Sequence, residues 1–448
     1  MSDGPDAPAR GDPPTWVPRR DPFAWVIVPI YLALAIATSY IHELGYAADE
    51  TSRHLPYVEW LAHEWRLPPN DPTAEAGPLE LHPPLYYLAL TPVYLAAEPF
   101  GRRAALRALR WTSPFLVGLA LLWWFGVIRR ACREDRRTTL FTFALTAWWP
   151  NLFADASMLT NDVGALLASS ALLYLVAVRG WESRRIRSAA LWGLVIGIGG
   201  LAKASVPVAT VPVVVVALVW QHGRRFWGDR RFWARLVACG AVCVLVCGWW
   251  YVRSEMLQGS LTGITTRLGY APIPPGMGLA EAWSSGLVAL LLWRAIQGMW
   301  MSVFTGVVWL PPWSRPTAYG GLLLLTLAAT LGIVLRLRRR SPDAPLNGSR
   351  LPAIILPAVG FGAILLADIY VSVFVHAGFY QGGRYLLPFL PGLTIPLALG
   401  LRRVIPQRVL TGAFGAVLVF WLVLTFLAWY YVYTHWNPYV LSTAGPFR

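Results

Sequence analysis

The sequence predicts an all-α polytopic membrane protein, and three observations predict it. Of the 448 residues 56% are hydrophobic and 14% charged, whereas soluble domains hold about 45–50% apolar and about 25% charged residues. Apolar runs of roughly 15–25 residues recur along nearly the whole chain, the length a helix needs to cross a bilayer. Most of these runs are bounded by arginine clusters in a chain of net charge +15 with 24 tryptophans, the pattern of many spanning helices and not of one anchor. The short alternating strands that mark a barrel do not accompany them.

In chain order, residues 1–22 are polar and proline-rich, a disordered cytoplasmic arm. The first apolar run, Phe23 to Ile41, exceeds a signal peptide's apolar region and no small-x-small site follows it, so it is a retained span. Short arginine-rich loops stay in the cytoplasm. Placing Arg19 and Arg20 on one side with Arg129 to Arg137, Arg184 to Arg187, Arg224 to Arg235, Arg336 to Arg340 and Arg402 to Arg408 forces an even number of crossings between consecutive clusters. The expected spans are 23–41, 113–128, 139–155, 158–178, 189–202, 206–220, 236–252, 318–335, 352–375, 385–401 and 409–432, about eleven in all. Parity leaves Pro84 to Phe100 outside as a juxtamembrane helix. The expected transmembrane domain is therefore 23–435, with 43–110 as a first external loop containing juxtamembrane helices. A second long external segment, 253–316, holds an interfacial or re-entrant stretch from Ser285 to Trp313, and 436–448 is an external tail. Cys239, Cys243 and Cys247 fall on one face of an apolar helix and are expected to pack.

Within the first external loop, the stretch from His42 to Tyr87 is acidic in an otherwise basic chain. Its acids are Glu43, Asp49, Glu50, Glu59, Glu64, Asp71, Glu75 and Glu80, against Arg53 and Arg66 alone. Asp49 and Glu50 sit just beyond the first span, followed by His54 and PYVEWLAHEW. There Val58, Leu61, Ala62 and Trp65 repeat at helical spacing, predicting a short helix flat on the membrane with its apolar stripe down. Helix capping is the other use of such acids. Asn161 and Asp162 lie in FADASMLTNDVGA between two spans, where an acid either caps a helix or faces a wet cavity. Lys203, in GLAKAS, is the only lysine. Its amine either snorkels or contacts a phosphate. Arg384, in HAGFYQGGRYLLPFLP beside Tyr380, Gln381 and Tyr385, is an external arginine that the positive-inside rule does not explain, and its paired glycines allow close approach to an anion. External carboxylates and cations on an apolar scaffold suit sugar transfer from a polyprenyl-phosphate donor. A carboxylate takes the proton of an attacking hydroxyl, and cations or a metal stabilise the departing lipid phosphate.

In order, DE after the first span, HPPLYY, TND, GLAKAS and QGGRYLLPFLP resemble motifs of the GT-C superfamily of integral membrane glycosyltransferases, especially its protein mannosyltransferase and aminoarabinose transferase-like branch. The resemblance covers about Phe23 to Leu401 in motif order more than in residue identity. It implies a GT-C-like bundle, Asp49 as base, and Glu50 supporting it or holding a divalent metal with it. It also implies Lys203, Arg384 and Tyr385 as phosphate contacts, in a cavity lined by His54, His82, Asn161, Asp162 and Gln381. The expected function is inverting transfer of a sugar from a polyprenyl-phosphate donor to a glycan, lipid or protein acceptor outside a bacterial cytoplasmic membrane. Membrane lipids are the other partners and nucleic acid is not one. A transporter or flippase of lipid-linked sugars is the alternative reading.

Overall fold

In a computed structural model, the described residues are 24–42, 49–69, 82–132, 135–181, 183–223, 225–259, 276–305, 312–338, 350–375 and 379–436, with single or paired residues at 22, 44, 261 and 273–274. Every regular element among them is helical. The helices are α1 (Ala24–Ile41), α2 (Leu55–Glu64), α3 (Leu85–Ala97), α4 (Arg102–Cys132), α5 (Arg136–Ala147), α6 (Pro150–Ala156), α7 (Asp162–Tyr174) and α8 (Ile186–Ala202). After them come α9 (Ser205–His222), α10 (Arg230–Gln258), α11 (Leu279–Ser284), α12 (Leu287–Thr305), α13 (Arg315–Arg338), α14 (Leu351–Tyr370), α15 (Pro391–Val404) and α16 (Leu410–Tyr431).

Seven helices are long and apolar enough to cross a membrane, or eight if the bent pair Gly383–Phe389 and Pro391–Val404 is one span. The others behind the expected count of about eleven are shorter. Trp25–Ile41 and Ile186–Ala202 are apolar but brief. The expected span 139–155 is broken between α5 and α6, where Pro150 starts a new helix, since proline has no N–H to continue the ladder. At about 1.5 Å per residue α3 is about 20 Å long, too short for a hydrocarbon core of about 30 Å.

Within the membrane, helices gain little from apolar burial against each other and associate through close packing of small residues. A Cβ on Gly193 of α8 would collide with the backbone carbonyl of Cys239 in α10. Gly332 of α13 and Gly400 of α15 meet backbone to backbone in the same way.

The two ends of the bundle differ in charge. At one end Arg130 donates to the Val178 carbonyl (2.8 Å), Arg402 pairs with Asp135 (2.7 Å), and Arg235 donates to Gln221 Oε1 (2.6 Å) and the Ser183 carbonyl (3.1 Å). Arg130, Arg235 and Arg402 belong to three of the arginine clusters of the sequence, which lie at one set of helix ends. The C-terminal ends of α1, α8 and α14 and the N-terminal end of α7 lie at the other.

Candidate functional site

At that second end a single turn of π-helix, Glu50–His54, leads from Asp49 into α2. Tyr57 of α2 stacks on Tyr87 of α3, with ring centroids 4.1 Å apart and 11° between planes. Arg102, at the start of α4, grips Glu59 with Nε and Nη2 at 2.6 and 3.1 Å. Val58, Leu61 and Ala62 are buried, so this stripe is covered by protein and not by bare membrane. Trp65 is not part of it: with φ 52° it lies past the helix end and is 77% exposed. The reason is that α3, itself too short to span, lies alongside α2 and takes the apolar face.

Asp49 and Glu50, adjacent in sequence, meet different partners. The Glu50 side chain is fully buried and receives Arg110 Nε and Nη2 at 2.7 and 2.5 Å. Its Oε1 also accepts from the Leu159 amide (2.9 Å), and Arg110 Nη1 donates to the carbonyls of His42 (2.6 Å) and Ser39 (3.2 Å). One buried ion pair thus ties the end of α1, the π turn, α4 and the stretch before α7. Asp49 remains 35% exposed and faces Arg384 Nη2 at 3.5 Å and Arg53 Nε at 3.7 Å.

Arg384 comes from the helical stretch Phe379–Phe389. It is brought in because Gly383 lies against the backbone of Ser302 and Val303 in α12 with no room for a Cβ, its amide donating to Ser302 Oγ (2.9 Å). Arg384 Nε is 3.7 Å from Asp162 Oδ2, and Nη2 is 3.3 Å from the Tyr385 hydroxyl. Asp162 opens α7, accepts from Thr160 Oγ1 (2.9 Å), and is paired through Oδ1 with Lys203. Lys203 ends α8 in extended conformation, which turns the chain into α9. Its ammonium lies 4.4 Å from the centre of the Tyr385 ring, which Arg384 also overlies at 5.2 Å. Four stretches of chain therefore contribute two acids, two cations and an aromatic face to one cluster, across a separation of 335 residues between Asp49 and Arg384.

The histidines border this cluster. His54 Nδ1 is hydrogen-bonded to the Tyr87 hydroxyl (2.8 Å), and its ring is 5.5 Å from that of His82. Burial holds the His54 imidazole well below its ordinary pKa and takes His82 down to about 4. Asn161 is 3% exposed, and its Nδ2 and the His82 Nε2 have no hydrogen-bond partner among the described residues. The Gln381 side chain lies outside the described residues.

Among the described residues no group of three or more His, Cys, Asp or Glu is gathered to hold a metal ion. Asp49 and Glu50 do not suit a shared divalent ion, because the Glu50 oxygens are taken by Arg110 and Asp49 faces two guanidinium groups. Sequence reasoning missed two residues. Arg110 is one of four arginines in GRRAALRALR, and nothing in their spacing marks it as the buried one. Asp368 was visible as the one acid in the apolar run of α14.

Residues 82–250 match the dolichyl-phosphate-mannose-protein mannosyltransferase family model. That match takes in His82, Arg110, Asn161, Asp162 and Lys203 but neither Asp49 nor Arg384. Among solved structures the chain is similar to ArnT from Cupriavidus metallidurans bound to undecaprenyl phosphate, at 17% identity and TM-score 0.51 over 89% of this chain and 63% of that one. It is also similar to the oligosaccharyltransferase AglB from Archaeoglobus fulgidus, in complex with an inhibitory peptide and a dolichol-phosphate, at 14% identity and TM-score 0.50 over 94% of this chain and 55% of that one. The chain thus spans less than two thirds of the length of either structure, and likeness at these identities is likeness of fold. No curated protein matches the sequence. The fold is that of the GT-C membrane glycosyltransferases.

Proposed function

We propose that this chain, a multi-pass membrane protein with the GT-C fold, transfers a sugar from a polyprenyl-phosphate donor to an acceptor hydroxyl on the extracytoplasmic face. The observation that carries the reading is the convergence of Asp49, Asp162, Lys203, Arg384 and Tyr385 at one end of the bundle. Sidedness follows from charge. The arginine-rich end is cytoplasmic by the positive-inside rule, and the cluster is at the opposite end.

Arg384 bridges Asp49 and Asp162 at 3.5 and 3.7 Å, long for charge-assisted hydrogen bonds, which run about 2.7–2.9 Å. A phosphodiester entering between Arg384 and Lys203 gives both cations a closer anion and releases Asp49. The acceptor hydroxyl attacks the anomeric carbon opposite the phosphate and its proton passes to the Asp49 carboxylate. The bond from the anomeric carbon to the phosphate oxygen breaks, and the electron pair leaves with the polyprenyl phosphate. Arg384 and Lys203 stabilise the growing negative charge there, so configuration inverts and no general acid is needed. Asp162 holds Lys203 in place, and Glu50 positions Asp49 through the adjoining backbone.

The test is transfer of radiolabelled sugar from undecaprenyl-phosphate-linked mannose, glucose or galactose, each in turn, by protein in proteoliposomes with envelope extract as acceptor. Release of undecaprenyl phosphate with labelled acceptor is expected, and Asp49→Asn should cut it by about 10²–10⁴-fold. Transfer at a near-native rate in this variant overturns the mechanism. Movement of the lipid-linked sugar between leaflets without transfer supports the flippase alternative instead.

A further inference from the structure

Near the site end of α14 lies an acid that the catalytic reading does not use. Asp368 is 8% exposed and its Oδ2 has no hydrogen-bond partner among the described residues. Four residues on, Ser372 is 1% exposed and its Oγ is equally unpartnered. A separation of four puts both on one helix face, and the backbone between them changes from α to π after Tyr370, a local widening that recurs at functional sites.

Their place in the bundle is settled by the neighbours. α14 packs on α9, which begins just after Lys203, and on the stretch Phe379–Phe389 that carries Arg384. Lys203 and Asp162 are both within electrostatic reach of the Asp368 carboxyl. Lys203 is already paired with Asp162 and stacked on Tyr385. An acid inside a spanning segment is costly and is ordinarily paired or lines a wet cavity, and a buried hydroxyl without a partner is rare. Two such groups together, on a helix packed against the elements that carry the cations assigned to the phosphate, lack hydrogen-bond partners among the described residues, and a bound ligand can supply them.

We propose that Asp368 and Ser372 form the subsite for the sugar ring of the donor. This rests on the donor reading given above. The chemistry that fits is a neutral ring with adjacent hydroxyl groups: the carboxylate accepts from one or two of them, and the serine hydroxyl exchanges a hydrogen bond with a neighbour. The sugar is directly bonded to the phosphate, so a phosphate on Lys203 and Arg384 brings the ring within reach of this face. Asp368 and Ser372 act as specificity residues: a site built to hydrogen-bond a hydroxyl rejects a ring that lacks it, because its own buried groups are then left unpaired.

The test compares binding of undecaprenyl phosphate with that of the same lipid bearing mannose, glucose or galactose, using the full chain in detergent. The native protein is expected to prefer at least one glycosylated lipid over the bare one. Asp368→Asn and Asp368→Leu should reduce that preference by about 10- to 100-fold while leaving affinity for bare undecaprenyl phosphate within about twofold, and Ser372→Ala should reduce it less. Retained affinity for the bare lipid also shows that the variants are folded. In turnover, KM for the donor should rise more than kcat falls. Removing single ring hydroxyls from the preferred sugar should identify one whose loss weakens the native protein and does not weaken Asp368→Asn further. If the native protein discriminates and both Asp368 variants discriminate equally well, the subsite is overturned and the donor reading stands. If the native protein does not distinguish glycosylated from bare lipid, both are overturned.

Discussion

Two charged constellations, built from adjacent residues of the π turn, are made on opposite terms. Glu50 and Arg110 are closed: among the described residues five hydrogen bonds of 2.5–3.2 Å join them to each other, to the end of α1 and to the stretch before α7, and neither side chain exceeds 1% exposure. Asp49, Arg384, Asp162 and Lys203 are open at one side. Two of their contacts are 3.5 Å or longer, and Asp49 and Arg384 are 35% and 38% exposed. A saturated buried pair has nothing left to offer a ligand and serves to hold backbone in place. A partly satisfied one can exchange an internal partner for a phosphate or a proton at little cost. The proposed base and its anchor are thus separated by one peptide bond and by their degree of saturation.

The largest expected effect tests the closed pair. Arg110→Met leaves a buried carboxylate uncompensated and should lower stability by about 3–5 kcal/mol, seen as a lower unfolding midpoint in detergent and loss of transfer together. Adding Glu50→Met should recover part of that loss, since apolar replacement of both partners is often tolerated. Recovery should be incomplete because the His42 and Ser39 carbonyls and the Leu159 amide still lose their partner. Full stability in Arg110→Met alone would erase the distinction between the two constellations. Asp49→Asn is its counterpart. It should cut transfer by about 10²–10⁴-fold, the usual contribution of a general base, with the unfolding midpoint nearly unchanged. Lys203→Met comes third, raising KM for the donor by about 10-fold or more through loss of one charged contact to phosphate, with kcat less affected than in Asp49→Asn.

What the sequence made legible follows from the same contrast. Asp162, Lys203 and Arg384 each stand nearly alone in charge at the end of an apolar run, Asp49 lies in the acidic stretch after the first one, and all four meet at one place. Arg110 was hidden because charge counting treats Arg102, Arg103, Arg107 and Arg110 alike. Only the fold turns Arg102 to half-buried Glu59 and Arg110 to fully buried Glu50. The break between α5 and α6 was signalled by Trp149-Pro150, but hydropathy runs across it unchanged. The face of α2 was legible as a stripe, while its partner was not, because α3 and bare lipid offer that stripe the same apolar surface.

The smallest expected effect concerns the histidines at the border of the open cluster. His82 is held neutral by burial, with its pKa lowered from about 6.5 in the unfolded chain to about 4. Between these values the unfolded state binds a proton that the folded state does not, so stability falls as pH falls from 6.5 toward 4 and levels off below. At pH 5.5 His82 should therefore account for about 1 kcal/mol of lost stability relative to pH 7. His82→Gln should flatten the fall in unfolding midpoint over that interval without removing it, because His54 is depressed by burial in the same direction. A midpoint that falls as steeply between pH 7 and 5.5 in His82→Gln as in the native protein would show that His82 does not carry this slope.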